Sequence, residues 1–77
     1  MKFERDVRNL SITLVFEPDE AVTEEAVSTL LLDAESAGMW EVQAVVPIQY
    51  ENIDVFDAWF EECRTDTTVT LRKAVGV

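Results

Sequence analysis

The sequence contains no histidine and a single cysteine, Cys63. Histidine is the usual general base near neutral pH and the commonest transition-metal ligand, so the most frequent basis for acid–base and zinc chemistry is missing. One cysteine allows neither an internal disulfide nor a cysteine-based metal site. We therefore expect a protein that is not an enzyme and that uses no cofactor and no metal.

Long apolar runs are also missing. No stretch approaches the roughly 20 apolar residues of a membrane-spanning helix. The N-terminal segment Met-Lys-Phe-Glu-Arg-Asp lacks an apolar signal region. These absences predict a cytoplasmic protein. The 77 residues, of which 48% are apolar, are expected to form one small acidic domain, residues 1–77, around a real core.

Basic residues are absent from the whole stretch between Arg8 and Arg64. That stretch holds all of the 16 acidic residues except Glu4, Asp6 and Asp66, and the net charge is −10. Ordinary surfaces mix the two signs and gain ion pairs between residues four apart on a helix. The segregation of charge is therefore the most unusual feature of the sequence.

Apolar periodicity predicts the secondary structure. Residues 1–8 form either a short arm or the beginning of the first strand. Strict alternation over 10–17 predicts a strand that buries Leu10, Ile12, Leu14 and Phe16. Pro18-Asp19-Glu20 is expected to begin a helix, which Gly38 ends. A second alternation predicts a strand that buries Trp40, Val42, Ala44, Val46, Ile48 and Tyr50.

The last third of the chain predicts a second helix, capped by Asn52 or Asp54. Its apolar stripe consists of Val55, Phe56, Trp59, Phe60 and Cys63. A final strand follows over 67–75. Pro47 has no N–H for a sheet ladder, so the strand that contains it is expected to lie at an edge or to carry a bulge.

The expected fold is an α+β two-layer sandwich. It has a three-stranded sheet in β-α-β-α-β order, with both helices on one face and the other face wet or used for contact. Cys63 is expected in the apolar core. The tryptophans and Tyr50 are also expected in the core, with one tryptophan ring left partly exposed as a binding anchor as the alternative.

The carboxylate pairs favour helix caps and solvated faces over a catalytic or calcium site, because no converging pocket or calcium-loop spacing is evident. Direct nucleic-acid binding is disfavoured by the negative charge. The terminal bases would form a small patch only if the first and last strands were neighbours.

The leading hypothesis is a small acidic inhibitor that occupies the basic, nucleic-acid-binding surface of a larger protein. Phage anti-restriction and anti-CRISPR proteins and nuclease immunity proteins act in this general way as nucleic-acid mimics. Two helices on one face would join their carboxylates into one surface. The expected partner-binding residues are Glu20, Glu24, Glu25, Asp33 and Glu35 on the first helix, and Asp54, Asp57, Glu61 and Glu62 on the second.

Two alternatives stay open. In the first, the acidic surface has no partner and serves only solubility, because net charge keeps small proteins soluble and monomeric. The other alternative is a structural or regulatory module that forms a homodimer through its sheet face or an edge strand, to which Val15, Val45 and Pro47 on the wet faces contribute.

Overall fold

The computed structural model of the chain describes residues 1–50, 56 and 58–75. Its strands are β1 (Lys2–Asp6), β2 (Ser11–Val15), β3 (Glu41–Pro47), β4 (Phe60–Arg64) and β5 (Thr68–Ala74), and its helix is α1 (Glu24–Ser36). The strands form one five-stranded mixed sheet in the order β1-β2-β3-β5-β4. The expected three-stranded β-α-β-α-β sheet with two helices is therefore wrong, although the class is still α+β.

The first eight residues belong to an antiparallel hairpin in which β1 pairs with β2 from Lys2↔Val15 to Asp6↔Ser11. The Asp6 carboxylate closes the turn by accepting hydrogen bonds from the backbone N–H of Arg8 (3.0 Å) and from the Asn9 side-chain amide (2.8 Å). The hydrogen bonds from Asn9, side chain first and backbone second, lower the pKa of Asp6. Leu10 completes the turn at φ 51° and lies outside β2. The alternation had predicted that Leu10 is part of that strand.

The centre of the fold is the β2-α1-β3 unit, whose two strands are parallel and in direct contact. Ile12, Leu14 and Phe16 are buried, as the alternation predicted. The helix packs against β2 and β3 with Val27, Leu30 and Ala34 buried beneath it.

The helix begins at Glu24, later than predicted. Thr23 is its N-cap, with its hydroxyl accepting a hydrogen bond from the Ala26 N–H at 3.2 Å. Gly38 ends it as predicted. At φ 72°, Gly38 donates to the Glu35 carbonyl, and the Met39 N–H donates to the Ala34 carbonyl at 2.9 Å, the hydrogen-bond pair of a Schellman motif.

The third strand lies in the sheet interior, between β2 and β5. Val42, Ala44 and Val46 are buried, which confirms the alternation. Trp40 and Tyr50 fall outside the strand, and Trp40 is 66% exposed. The edge position expected from Pro47 is wrong. Pro47 is tolerated in an interior strand because it is the last residue of β3, paired with Thr68.

The segment predicted as the end of a second helix is strand β4. It pairs antiparallel with β5, with a register shift between Glu61 and Cys63. Phe56 does enter the core and meets Trp59 edge to face, with ring centroids 5.1 Å apart. Phe60 and Cys63 are exposed, so their expected burial is wrong. Asn52, Asp54 and Val55 lie outside the described residues.

The sheet has two different faces. The apolar side chains of β2, β3 and β5 meet α1 on one face, together with Phe56 and Met39. We call the other side the open face. Residues Thr13, Gln43, Val45 and Arg72 project from it, and no described helix or strand lies over it. The described α-helix lies on one face, where the expected fold had placed two helices.

Candidate acidic interaction surface

Four of the predicted partner-binding acids lie on α1. Glu24 and Glu25 occupy its first turn, and Asp33 and Glu35 its last. All four are exposed, and none lies on the stripe of buried residues. The 13-residue helix contains no basic residue and is about 20 Å long at 1.5 Å per residue. We call these four carboxylates the α1 acids.

The ion pairs of the described residues lie elsewhere. They join the N-terminal ammonium to Glu20 and, on the strands, Lys2 to Glu4, Arg64 to Glu61, and Arg72 to Glu41 and Glu62. Within the described part of the chain, no α1 acid takes part in an ion pair or side-chain hydrogen bond. The α1 acids are therefore available to an external cation.

Glu20 is not on the helix, which corrects its predicted position. It lies in the loop between β2 and α1, where its carboxylate accepts a hydrogen bond from the Glu17 N–H (3.1 Å) and pairs with the N-terminal ammonium (2.9 Å). The ammonium, followed by the Glu17 N–H, lowers the pKa of Glu20. This carboxylate holds the N-terminus against the loop.

Glu61 and Glu62 lie on the edge strand β4 and not on a second helix. The Arg64 guanidinium donates two hydrogen bonds to Glu61, the shorter at 2.7 Å. Arg72 lies with its Nε 2.9 Å from a Glu62 carboxylate oxygen and its guanidinium 5.0 Å from the centroid of the Phe60 ring. That Nε–H makes no directed hydrogen bond, so its pairing with Glu62 is electrostatic. Both carboxylates already have a cation.

The continuous acidic surface that two adjacent helices would have formed is therefore wrong. Glu61 and Glu62 are separated from the strands under α1 by β5. Asp54 and Asp57 lie outside the described residues.

The strand order also decides where the bases lie. Lys2 and Arg5 are on β1 at one edge, and Arg64 is on β4 at the other. Because β1 and β5 are not neighbours, the first and last strands do not bring the terminal bases into one patch. Lys2, Arg64 and Arg72 pair with acids on the strands, and α1 itself carries acids and no base.

A second feature lies on the open face, where the parallel strands β2 and β3 end and their chains diverge. A cavity of about 350 Å³ opens there. We call it the strand-end cavity; its mostly apolar wall includes Val15, Phe16, Pro18, Val45, Pro47 and Thr68. Glu17 also lines it. The sequence signal was the presence of Val15, Val45 and Pro47 at positions expected to be wet, but nothing in it indicated a concavity.

Exposed apolar side chains accompany these features. Leu32 is 63% exposed on α1 among the α1 acids, and Trp40 is exposed where the chain enters β3. Trp59, in contrast, is partly buried against the core. One tryptophan ring is thus exposed, as the alternative expected, and its use as a binding anchor stays a prediction.

Two further features are absent from the residues that the structure describes. These residues contain no group of three or more acidic or cysteine side chains placed to hold a metal ion. They also contain no helix with the length and apolar character needed to cross a membrane. No protein-family model matches the chain, and no curated protein is significantly similar to it in sequence.

Proposed function

We propose that the protein is a non-enzymatic inhibitor whose α1 acids bind a basic, nucleic-acid-binding surface of a larger protein. The carboxylates take the place of phosphates, as in nucleic-acid mimics of the phage anti-restriction, anti-CRISPR and nuclease-immunity type. The observation that supports the proposal is the distribution of ion pairs. Lys2, Arg64 and Arg72 pair with acids on the strands, whereas no ion pair within the described residues involves an α1 acid.

The spacing of the α1 acids indicates which kind of nucleic-acid-binding surface they fit. The four carboxylates form two pairs, Glu24 with Glu25 and Asp33 with Glu35, about 12 Å apart along the helix axis. Averaged over the about 20 Å of the helix, this is one charge per roughly 5 Å, whereas duplex DNA has one per 1.7 Å and each of its strands one per 3.4 Å. In average charge density, the helix is therefore closer to a single phosphate strand than to a duplex. We expect its partner to be a protein whose basic surface contacts one strand.

The arrangement around the helix axis favours a groove. At 100° per residue, Glu24 and Glu35 project on one side of the exposed half, and Asp33 projects on the opposite side. Glu25 and the exposed Leu32 lie between them. A flat surface would reach only part of this set, whereas a basic groove with an apolar floor would contact both sides and Leu32 together.

Complementary charge gives fast encounter and strong dependence on salt. The first experiment is therefore affinity capture from bacterial lysates on the immobilised protein, with elution by duplex DNA, by RNA and by salt. Recovery of a nucleic-acid-binding enzyme that a polyanion displaces, and whose activity the added protein blocks, is the expected result.

Two variants with the same change in net charge make the test specific. In one, the α1 acids are replaced by amides: Glu24→Gln, Glu25→Gln, Asp33→Asn and Glu35→Gln. In the other, four ion-paired glutamates of the strands are replaced: Glu4→Gln, Glu41→Gln, Glu61→Gln and Glu62→Gln. Loss of inhibition only in the first variant, with both folded by circular dichroism, is expected. Equal loss in both would show that overall acidity, not the helix, is responsible.

A second candidate function is self-association through the open face. It is favoured by the lack of a described element over that face and by the half-buried Val15 and Val45 on it. Sedimentation equilibrium separates the two candidates. An apolar dimer would persist in high salt, whereas an acidic inhibitor is monomeric at every salt concentration.

A further inference from the structure

The strand-end cavity is not used by the α1 acids, and its walls are fixed before any ligand arrives. The Phe16 N–H donates to the Val45 carbonyl and the Ile48 N–H to the Thr67 carbonyl, both at 2.9 Å. The two prolines of the chain, Pro18 and Pro47, both line the cavity. Proline fixes its own backbone φ angle, so this wall has little freedom to lose on binding.

The size and lining of the cavity select the part of a ligand that enters. Its volume of about 350 Å³ lies at the lower end of small-ligand sites, which span roughly 300–1,000 Å³. The volume is large enough for one apolar side chain of the size of phenylalanine or leucine. Its mostly apolar wall offers water few hydrogen-bond partners, so displacing water from it favours binding.

The charges around the cavity determine which residues of a ligand are favoured next to that apolar side chain. Glu17 lines it, Asp19 follows Pro18 in the adjoining loop, and Asp66 precedes Thr67 on the far side. None of these three carboxylates has a basic partner within the described residues. Lys2 is opposite Val15 in the sheet, but its ammonium is paired with Glu4 at 3.2 Å. The N-terminal ammonium is also near, because its partner Glu20 (2.9 Å) accepts a hydrogen bond from the Glu17 N–H. Both cations are already paired, so the remaining carboxylates leave the rim negative and attractive to further cations.

The cavity is continuous in sequence with the acidic helix. The loop from Glu17 leads directly to Thr23 and the first turn of α1. The cavity and the first turn of α1 therefore lie at the same end of the sheet, on its two different faces, so a partner that binds both must extend around that end.

We propose that the strand-end cavity binds an apolar side chain presented between lysines or arginines by a peptide segment of the basic partner. This inference rests on the proposed function for the identity of the partner. It adds a second contact of different chemistry, in which an apolar side chain is buried in the cavity and flanking cations meet Glu17 and its neighbours.

The test uses the full chain labelled with ¹⁵N and three blocked tripeptides as probes: acetyl-Lys-Phe-Lys-amide, acetyl-Lys-Ala-Lys-amide and acetyl-Glu-Phe-Glu-amide. We expect the first to give saturable shifts of the Val15, Val45 and Thr68 amides. The alanine peptide should bind about tenfold more weakly, because it buries far less apolar area. The acidic peptide should give no saturable shift. Glu17→Gln should weaken binding of the first peptide about two- to fivefold.

Two single substitutions on one strand supply the matched control. Val45→Phe fills the cavity and is expected to abolish binding of the lysine–phenylalanine peptide. Gln43→Phe adds the same ring to the same face, two residues away and outside the cavity wall, and is expected to leave binding unchanged. Equal binding of the phenylalanine and alanine peptides, or retained binding by Val45→Phe, would overturn the proposal.

Other occupants give results that also overturn it. Shifts at the same amides on raising the protein concentration alone would assign the cavity to a second copy of the chain. Equal binding of neutral acetyl-Phe-amide would show that the rim charges select nothing. Failure of the cavity is separable from failure of the acidic surface, because the tripeptides do not require the α1 acids. The fourfold α1 variant is expected to lose its captured partner and keep the peptide.

Discussion

The two ends of α1 should respond in opposite directions to removal of charge. A helix dipole places partial positive charge at the N-terminus and partial negative charge at the C-terminus. Glu24 and Glu25 lie in the first turn, where this dipole stabilises them. Asp33 and Glu35 lie in a last turn that has no basic residue, where the dipole opposes them. The double variants Glu24→Gln/Glu25→Gln and Asp33→Asn/Glu35→Gln remove the same number of charges from opposite ends.

The expected difference can be worked out from this placement. Each carboxylate interacts with the dipole by about 0.3–1 kcal/mol at an exposed site in low salt. Removing two negative charges also reduces the repulsion among the acids of the whole chain, which stabilises both variants by a similar amount. Replacing a carboxylate by an amide changes helix propensity little. The C-terminal variant should therefore exceed the N-terminal variant in unfolding free energy by at least about 1 kcal/mol. This corresponds to about 5 °C or more in melting temperature for a domain of this size.

Urea denaturation at low salt, followed by circular dichroism, measures the difference directly. Both variants should keep the m-value of the parent chain, since neither changes the surface exposed on unfolding. The difference should shrink in 1 M NaCl, where the Debye length is about 3 Å. If both variants were stabilised equally, general repulsion would dominate and the dipole argument would be refuted.

Three further predictions concern the charge and accessibility of the chain. Because the pKa of Glu20 is lowered from its ordinary 4.5, ionised Glu20 stabilises the fold above pH 4.5, and this stabilisation is lost as the pH falls further. Denaturation across pH 3–7 should therefore show that the stability difference between Glu20→Gln and the parent chain disappears at the acid end. A stability difference that grows there would contradict this sign. With a net charge of −10, moderate salt should raise the melting temperature in differential scanning calorimetry; an unchanged melt would mean that the acids do not repel one another significantly. Exposed Cys63 should react with iodoacetamide in the native protein, as mass spectrometry would detect; protection until denaturant is added would place the thiol in the core after all.

The sequence was informative where one side of an element is buried. Ile12, Leu14 and Phe16 alternate with half-buried or polar neighbours, and Val42, Ala44 and Val46 do the same. These patterns come from contact with the helix, so periodicity could detect them. The central β2-α1-β3 unit was therefore predictable, as was the end of α1 at Gly38.

The two edge strands were not predictable in this way. Every residue of β1 and of β4 is exposed, so neither strand carries an alternation of buried and exposed positions. The spacing of Phe56, Phe60 and Cys63, which leads into β4, instead resembled a helical stripe. The free edge of β5 determines the conformation of this segment, and such a long-range pairing is not visible in local propensity. Misplacing β4 also misplaced Glu61 and Glu62.

Only part of the acidic surface was predicted correctly, and the reason is again the difference between local and long-range contacts. Exposure of the α1 acids followed from the periodicity of their own helix. The partners of Glu20, Glu61 and Glu62 depended on where the N-terminus, Arg64 and Arg72 lie in the folded chain. Ion pairs between distant segments can be predicted only once the strand order is known, and local sequence patterns do not reveal that order.

The edges of the sheet have a consequence for the behaviour of the protein at high concentration. An open sheet exposes unpaired backbone groups along both margins, and these can recruit further strands into ribbons and fibrils. In β1, every residue except Phe3 is charged. In β4, the irregularity between Glu61 and Cys63 interrupts the regular spacing that an added strand would need. The charged side chains of β1 and the irregularity of β4 thus protect a small domain with two free edges from aggregation.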